Sequence, residues 1–176
     1  MKFILSILIF TFIQDSNLII LNEFYSGKGV IFDDSVNYPF IEDDYVTSYV
    51  PTIDEVKKAE IFISENYFYY ENTISDFFKT KSKNSTSRYR DPKNVIKKYR
   101  KFNRQYISYI NDQNDTIIYV GLLNFKNKQK ADFYFNGWTE MIMAGSGGFY
   151  SENQKYFVIN LTKKKFVYKV AGMEKS

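Results

Sequence analysis

Residues 104–125 read RQYISYINDQNDTIIYVGLLNF. Side chains alternate here with a period of two: Tyr106, Ser108 and Ile110 fall on one face, Ile107 and Tyr109 on the other. That is strand periodicity. Asn111 to Asp115 (NDQND) interrupts it with residues that turn a chain by bonding their own backbone. Ile117 to Phe125 then forms a second, more apolar run. Two strands joined by a tight polar turn predict an antiparallel hairpin.

Further strands are expected on the C-terminal side, at Trp138–Ala144, Tyr156–Leu161 and Phe166–Val170, with Thr162-Lys163-Lys164-Lys165 joining the last two. Trp138 and Tyr106, as large aromatics in alternating stretches, are expected in the sheet core. On the N-terminal side a helix starts at Thr52 and Glu55, which have the S/T-x-x-E spacing of a capping box directly after Pro51. Ile53, Val56, Ala59, Ile63 and Tyr67 give it one apolar face, and it is expected to run to about Tyr70. A short helical piece at Ile74–Phe78 follows. Residues 79–92 read as a polar, basic loop. A second short helix opens at Asp91-Pro92, with Val95, Ile96, Tyr99 and Phe102 inward. Residues 22–50 are acidic and turn-rich, with one short strand near Val30–Phe32. The predicted class is α+β: an N-terminal helix packed on a curved antiparallel sheet of about four to five strands.

The chain has 176 residues, a length that suits one domain. Met1-Lys2 precedes a short apolar run from Phe3 to Ile13, which ends at Gln14-Asp15-Ser16-Asn17. One positive charge followed by a run too short to span a bilayer is the pattern of a signal peptide. The expected organisation is a signal segment at 1–21, cleaved or kept as an anchor, and a single α+β domain at 22–176. The expected location is outside the cytoplasm, periplasmic or secreted.

There is no Cys and no His. Disulfides, thiolate metal sites, Cys nucleophiles and His-based triads are therefore excluded. No cofactor is expected and no catalytic or metal-binding residue is assigned. Gly145-Ser146-Gly147-Gly148 is read as a hairpin turn, because the following residues lead into a strand and a phosphate loop needs a helix. Ser26-Gly27-Lys28-Gly29 lacks the Ser or Thr that a phosphate loop places after its lysine. The Asp112–Asp115 turn lacks the Gly and Glu of a calcium loop. Asp33-Asp34 and Glu42-Asp43-Asp44 read as solvated loop carboxylates, with paired-carboxylate catalysis as the sharper alternative.

Charge is distributed in blocks. Residues 22–78 carry twelve acids and three bases, while residues 79–104 carry eleven bases and one acid. Opposite blocks in adjacent sequence are expected to lie partly against each other and partly in solvent. Within the basic block, Lys97, Lys98, Arg100 and Lys101 flank Tyr99 and are the candidate polyanion-binding residues.

Arg104–Ile110 and Ile117–Val120, followed by Gly148-Phe149-Tyr150-Ser151-Glu152-Asn153 and Phe157–Leu161, resemble the strands and glycine turn of small exported, uncharacterised proteins of Bacteroidetes-type bacteria. Trp138 sits where those proteins often have a tryptophan; Ser108 stands where they tend to have glycine. The resemblance spans about residues 95–172. It implies an architecture similar to the cystatin and NTF2 type, and no reaction. The resulting functional expectation is a non-enzymatic exported binding or interaction module, the alternatives being a carboxylate-based hydrolase or a structural cell-envelope protein. No partner is assigned; an envelope protein and an anionic polymer are the candidates, beside a plain solvated surface. Nucleic acid is disfavoured, and membrane contact is confined to the N-terminal segment.

Overall fold

The computed structural model describes residues 17–33, 44–81 and 92–167, with the side chains of 68–95 left out of the description. The hydrophobic run of the expected signal peptide, 3–13, lies outside the described residues. The chain is mixed α+β. Its described elements are β1 (Leu18–Ile19), β2 (Gly29–Ile31), β3 (Tyr45–Tyr49), α1 (Ile53–Lys81), α2 (Pro92–Tyr99), β4 (Asn103–Asn111), β5 (Thr116–Leu123), α3 (Lys128–Tyr134), α4 (Gly148–Asn153), β6 (Gln154–Asn160) and β7 (Lys165–Phe166).

The alternating stretch 104–125 forms the centre of the sheet. β4 and β5 pair antiparallel from Asn103↔Leu123 to Ile110↔Thr116, and β6 adds to β5, with Ile117↔Asn160 and Leu123↔Gln154 at its ends. β7 pairs with β6. The other edge of β4 is shared. β2 runs parallel along Arg104–Tyr106, while β3 runs antiparallel along Ser108–Asn111 with an irregularity between Tyr45 and Thr47. β1 then pairs with β2. The described sheet has seven strands rather than four to five, one of its pairings is parallel, and it does not close.

Periodicity decides which face each side chain buries. Tyr106, Ile118, Val120, Leu122, Phe157 and Ile159 point to the side covered by α1 and α2, where they meet Val56, Ala59, Ile63, Tyr67 and Tyr99. Ile107, Tyr109, Ile117, Tyr119 and Val158 point to the opposite side, together with Val30 and Phe32. Burial raises the Tyr119 phenol well above its ordinary pKa.

The long helix starts as the capping box predicts. The Thr52 N–H donates to Glu55 Oε2 at 2.8 Å, and the Glu55 N–H donates to Thr52 Oγ1 at 3.3 Å. Burial works to raise the Glu55 carboxyl, but the Thr52 N–H and hydroxyl, the Tyr49 hydroxyl and Lys58 outweigh it, and the net shift is downward. Ile53, counted on the apolar face, is exposed. The helix runs unbroken to Lys81 instead of stopping near Tyr70 and restarting. Glu71, Asn72 and Thr73 occupy the gap between the two expected helical pieces. Each such residue, however, costs only about 0.7 kcal/mol or less against alanine, too little to end a helix once it is nucleated. Lys79 and Lys81 are therefore helical, and the rest of the expected loop, 82–91, lies outside the described residues. The strand expected at Phe166–Val170 is seen as Lys165–Phe166; 168–170 lie outside.

Three expectations are corrected. First, Asn17 to Leu21, placed in the signal segment, are within the fold: Leu18 pairs with Val30, and Leu21 is buried in the helix-side core. Gly29 tolerates that approach because it lacks the Cβ that would collide with Tyr25 and Ile19. Second, Trp138–Ala144 is not a strand. It crosses the sheet face opposite α1, where the buried Gln105 side chain replaces a partner strand. Gln105 Nε2 donates to the carbonyls of Trp138 and Met141, and Gln105 Oε1 accepts from the Met143 N–H at 2.9 Å. Trp138 is half-buried against the Leu123–Phe135 cluster rather than in a strand, whereas Tyr106 is fully buried as expected. Third, Gly145–Gly148 is not a hairpin turn; Gly147, at φ 99°, caps the six-residue α4.

Asp44 is likewise not merely solvated. It accepts from the Tyr109 hydroxyl at 3.0 Å and from Asn111 Nδ2 at 3.2 Å, tying β3 to the β4–β5 turn. In that turn Asp115 bonds Lys163 at 2.6 Å and Asn160 at 2.8 Å, and these two hold its carboxyl below the usual range. The Ser108 hydroxyl donates to the Tyr49 carbonyl at 2.6 Å and helps hold β3.

Candidate anion-binding groove

Two kinds of charged site border the helices, and geometry separates them. The first is buried. Glu60 from α1 and Arg104 from β4 meet beneath a cleft of about 230 Å³ between α1, α2 and the sheet. Arg104 Nε donates to Glu60 Oε1 at 2.8 Å, and its Nη1 donates to the carbonyls of Tyr99 and Phe102 at 3.0 and 2.9 Å. The Tyr106 hydroxyl donates to Glu60 Oε1 at 2.8 Å, and the guanidinium lies 4.7 Å from the centre of the Tyr25 ring. Burial, reinforced by the Glu60 charge, raises the Tyr106 phenol well above its ordinary pKa. Burial also pushes Tyr25 up to about 12. The fork of Arg104 is consumed by internal acceptors. This arrangement therefore fastens α1 and the end of α2 to the sheet, and it is one contact, among the described residues, between the acidic and basic blocks.

The second site is open. α2 ends at Tyr99, and its last turn carries Lys97 and Lys98, where cations suit the helix dipole at about 0.3–1 kcal/mol each. Lys98 extends over the Phe102 ring, 5.8 Å from its centre. Opposite it, the β5–β6 register sets Lys155 across from Leu122, and Lys126 follows the end of β5. Lys98, Lys126 and Lys155 line one cleft of about 480 Å³ together with Glu152. The lining of this cleft thus carries three cations and one anion. Its floor is held by a double clasp: the Asn124 N–H donates to the Asn153 carbonyl at 2.8 Å, and Asn124 Nδ2 donates to Asn153 Oδ1 at 2.9 Å.

A second cleft of about 450 Å³ adjoins the first across Glu152 and Asn153, which line both. Its wall is aromatic. Tyr134 at the end of α3 stacks on Phe149 of α4 at 4.2 Å and 14°, and the Tyr150 hydroxyl donates to the Tyr134 carbonyl at 3.1 Å. Asn127, whose side chain caps α3 by accepting from the Lys130 N–H, and Lys130 itself complete it.

The four predicted polyanion residues are all exposed, but they do not share one site. Lys98 lines the lysine cleft. Arg100 lines the cleft above Glu60 and donates to the Glu23 carbonyl at 3.1 Å. Lys97 and Lys101 line neither. Lys126 and Lys155, the partners Lys98 does have, carry no signal in the sequence, because no linear motif joins residues brought together only by strand register. Among the described residues no group of three or more acidic side chains could hold a metal ion, and no helix is long and apolar enough to cross a membrane. No protein-family model matches the chain, and no curated protein or solved structure matches it.

Proposed function

We propose that this chain is an exported, non-enzymatic binding module that holds an anionic polymer of the cell envelope. The observation that carries the reading is the convergence of Lys98, Lys126 and Lys155 on one open cleft, from three separate parts of the chain. A charge pair at 4 Å is worth about 1 kcal/mol in bulk water and up to about 4 near a protein surface, so three cations along a chain of anions give salt-sensitive attachment. Export is supported by the Met1-Lys2 start and the apolar run that follows it. The finer description of the fold, an arrangement of the cystatin or NTF2 type, is supported by α1 and the sheet sharing one core. The resemblance to small exported Bacteroidetes-type proteins agrees with both.

The test is elution from a polyanion column, such as immobilised heparin, across a salt gradient. Wild type is expected to be retained, and a Lys98→Gln, Lys126→Gln, Lys155→Gln variant to elute early. Early elution of the wild type, unchanged in the variant, would remove the reading.

A further inference from the structure

We infer that the ligand of this groove is an acidic oligosaccharide, bound with a charged sugar among Lys98, Lys126 and Lys155 and a neighbouring sugar ring against Tyr134 and Phe149. The inference rests on the anionic-polymer reading and narrows it to one chemistry.

Two features favour a glycan over other polyanions. The lysine cleft and the aromatic cleft share Glu152 and Asn153 in their linings, so a ligand spanning that pair meets cations on one side and rings on the other. The faces of aromatic rings are electron-rich, and the C–H bonds on one side of a pyranose present weak positive dipoles that match them. Glu152 stands at the junction. A carboxylate there repels an evenly charged phosphate backbone but accepts hydrogen bonds from sugar hydroxyls. Each sugar of an acidic glycan carries hydroxyl donors beside its carboxylate and can turn them toward Glu152; a DNA phosphodiester backbone has no hydroxyl donor to offer there.

The full chain is titrated by calorimetry with tetragalacturonate, cellotetraose, a single-stranded oligonucleotide and vesicles containing phosphatidylglycerol. Tetragalacturonate is expected to bind best, more weakly as salt rises. Cellotetraose is expected to bind at least about tenfold more weakly, since it lacks the charge. Tyr134→Ala is expected to weaken tetragalacturonate binding about tenfold, as loss of a stacking partner does elsewhere. Tyr134→Leu, which keeps apolar bulk without the ring, serves as a second variant, and thermal unfolding of both confirms an intact fold. If both Tyr134 variants bind tetragalacturonate like wild type, or if the oligonucleotide or vesicles bind more tightly, the glycan inference is overturned while the anionic-polymer reading stands. If none of the three anionic probes binds, both fall.

Discussion

Nε of Arg104 on β4 donates to Oε1 of Glu60 on α1 at 2.8 Å, and neither side chain is more than 5% exposed. The two residues are 44 positions apart, and Arg104 also ties down the carbonyls of Tyr99 and Phe102. Removing one partner leaves the other charge buried. Arg104→Met is therefore expected to cost about 3–5 kcal/mol in urea denaturation. The double variant Glu60→Met, Arg104→Met should be more stable than the sum of the single losses predicts, by up to about 3 kcal/mol. Simple additivity would show that the pair is not coupled.

Leu21 tests where the folded unit begins. It is buried among the helix-side core residues, four positions inside the first described residue. Leu21→Ala should cost about 2–5 kcal/mol. A chain starting at Asn17 should unfold at clearly higher denaturant than one starting at Asn22. Equal midpoints would return the boundary to the end of the Leu18–Leu21 patch.

Gln105 is fully buried and serves the carbonyls of Trp138 and Met141 and the amide of Met143. Gln105→Met keeps the volume and removes the partners. Each buried backbone group left unsatisfied costs about 1–3 kcal/mol. The expected result is a loss of at least about 2 kcal/mol and faster hydrogen exchange at the Met143 amide. Unchanged exchange there would mean that the segment is held by Gln154, its own turn bonds and its apolar contacts without Gln105.

Acid should loosen two places together. The carboxyls of Glu55 and Asp115 both lie below their ordinary values in the folded chain. A lowered folded value means that the folded state binds fewer protons, so the stabilisation is complete above the unfolded pKa of about 4 and fades as pH falls through the folded values. Glu55→Gln and Asp115→Asn should flatten the stability profile below about pH 4 while lowering stability at pH 7. A profile as steep as wild type in both variants would assign acid sensitivity to other carboxylates.

Local signals were legible in the sequence wherever short-range chemistry decides the structure. The Thr52–Glu55 cap, the alternation of 104–110 and the NDQND turn each depend on residues within a few positions. Trp138–Ala144 has strand composition, yet its backbone is held by two glutamine side chains, Gln105 on β4 and Gln154 on β6, and by local turn bonds, a substitution that no periodicity records. The groove was legible only at Lys98. Lys126 and Lys155 reach it through the pairing of β5 with β6, and Tyr134 meets Phe149 through the packing of two short helices.

The shared edge of β4 also dictates an order of assembly. β4, β5 and their turn lie within 21 residues, whereas Gly29 must wait for Arg104, 75 positions later, and Tyr49 for Ser108, 59 later. Closing loops of that length carries an entropic cost that no contact repays until β4 exists. As the chain leaves the ribosome, its first hundred residues therefore have a helix but no sheet to join. A fragment ending at Phe102 should show helical circular dichroism without cooperative unfolding. Strands β2 and β3 become structural only when the middle of the protein arrives to receive them.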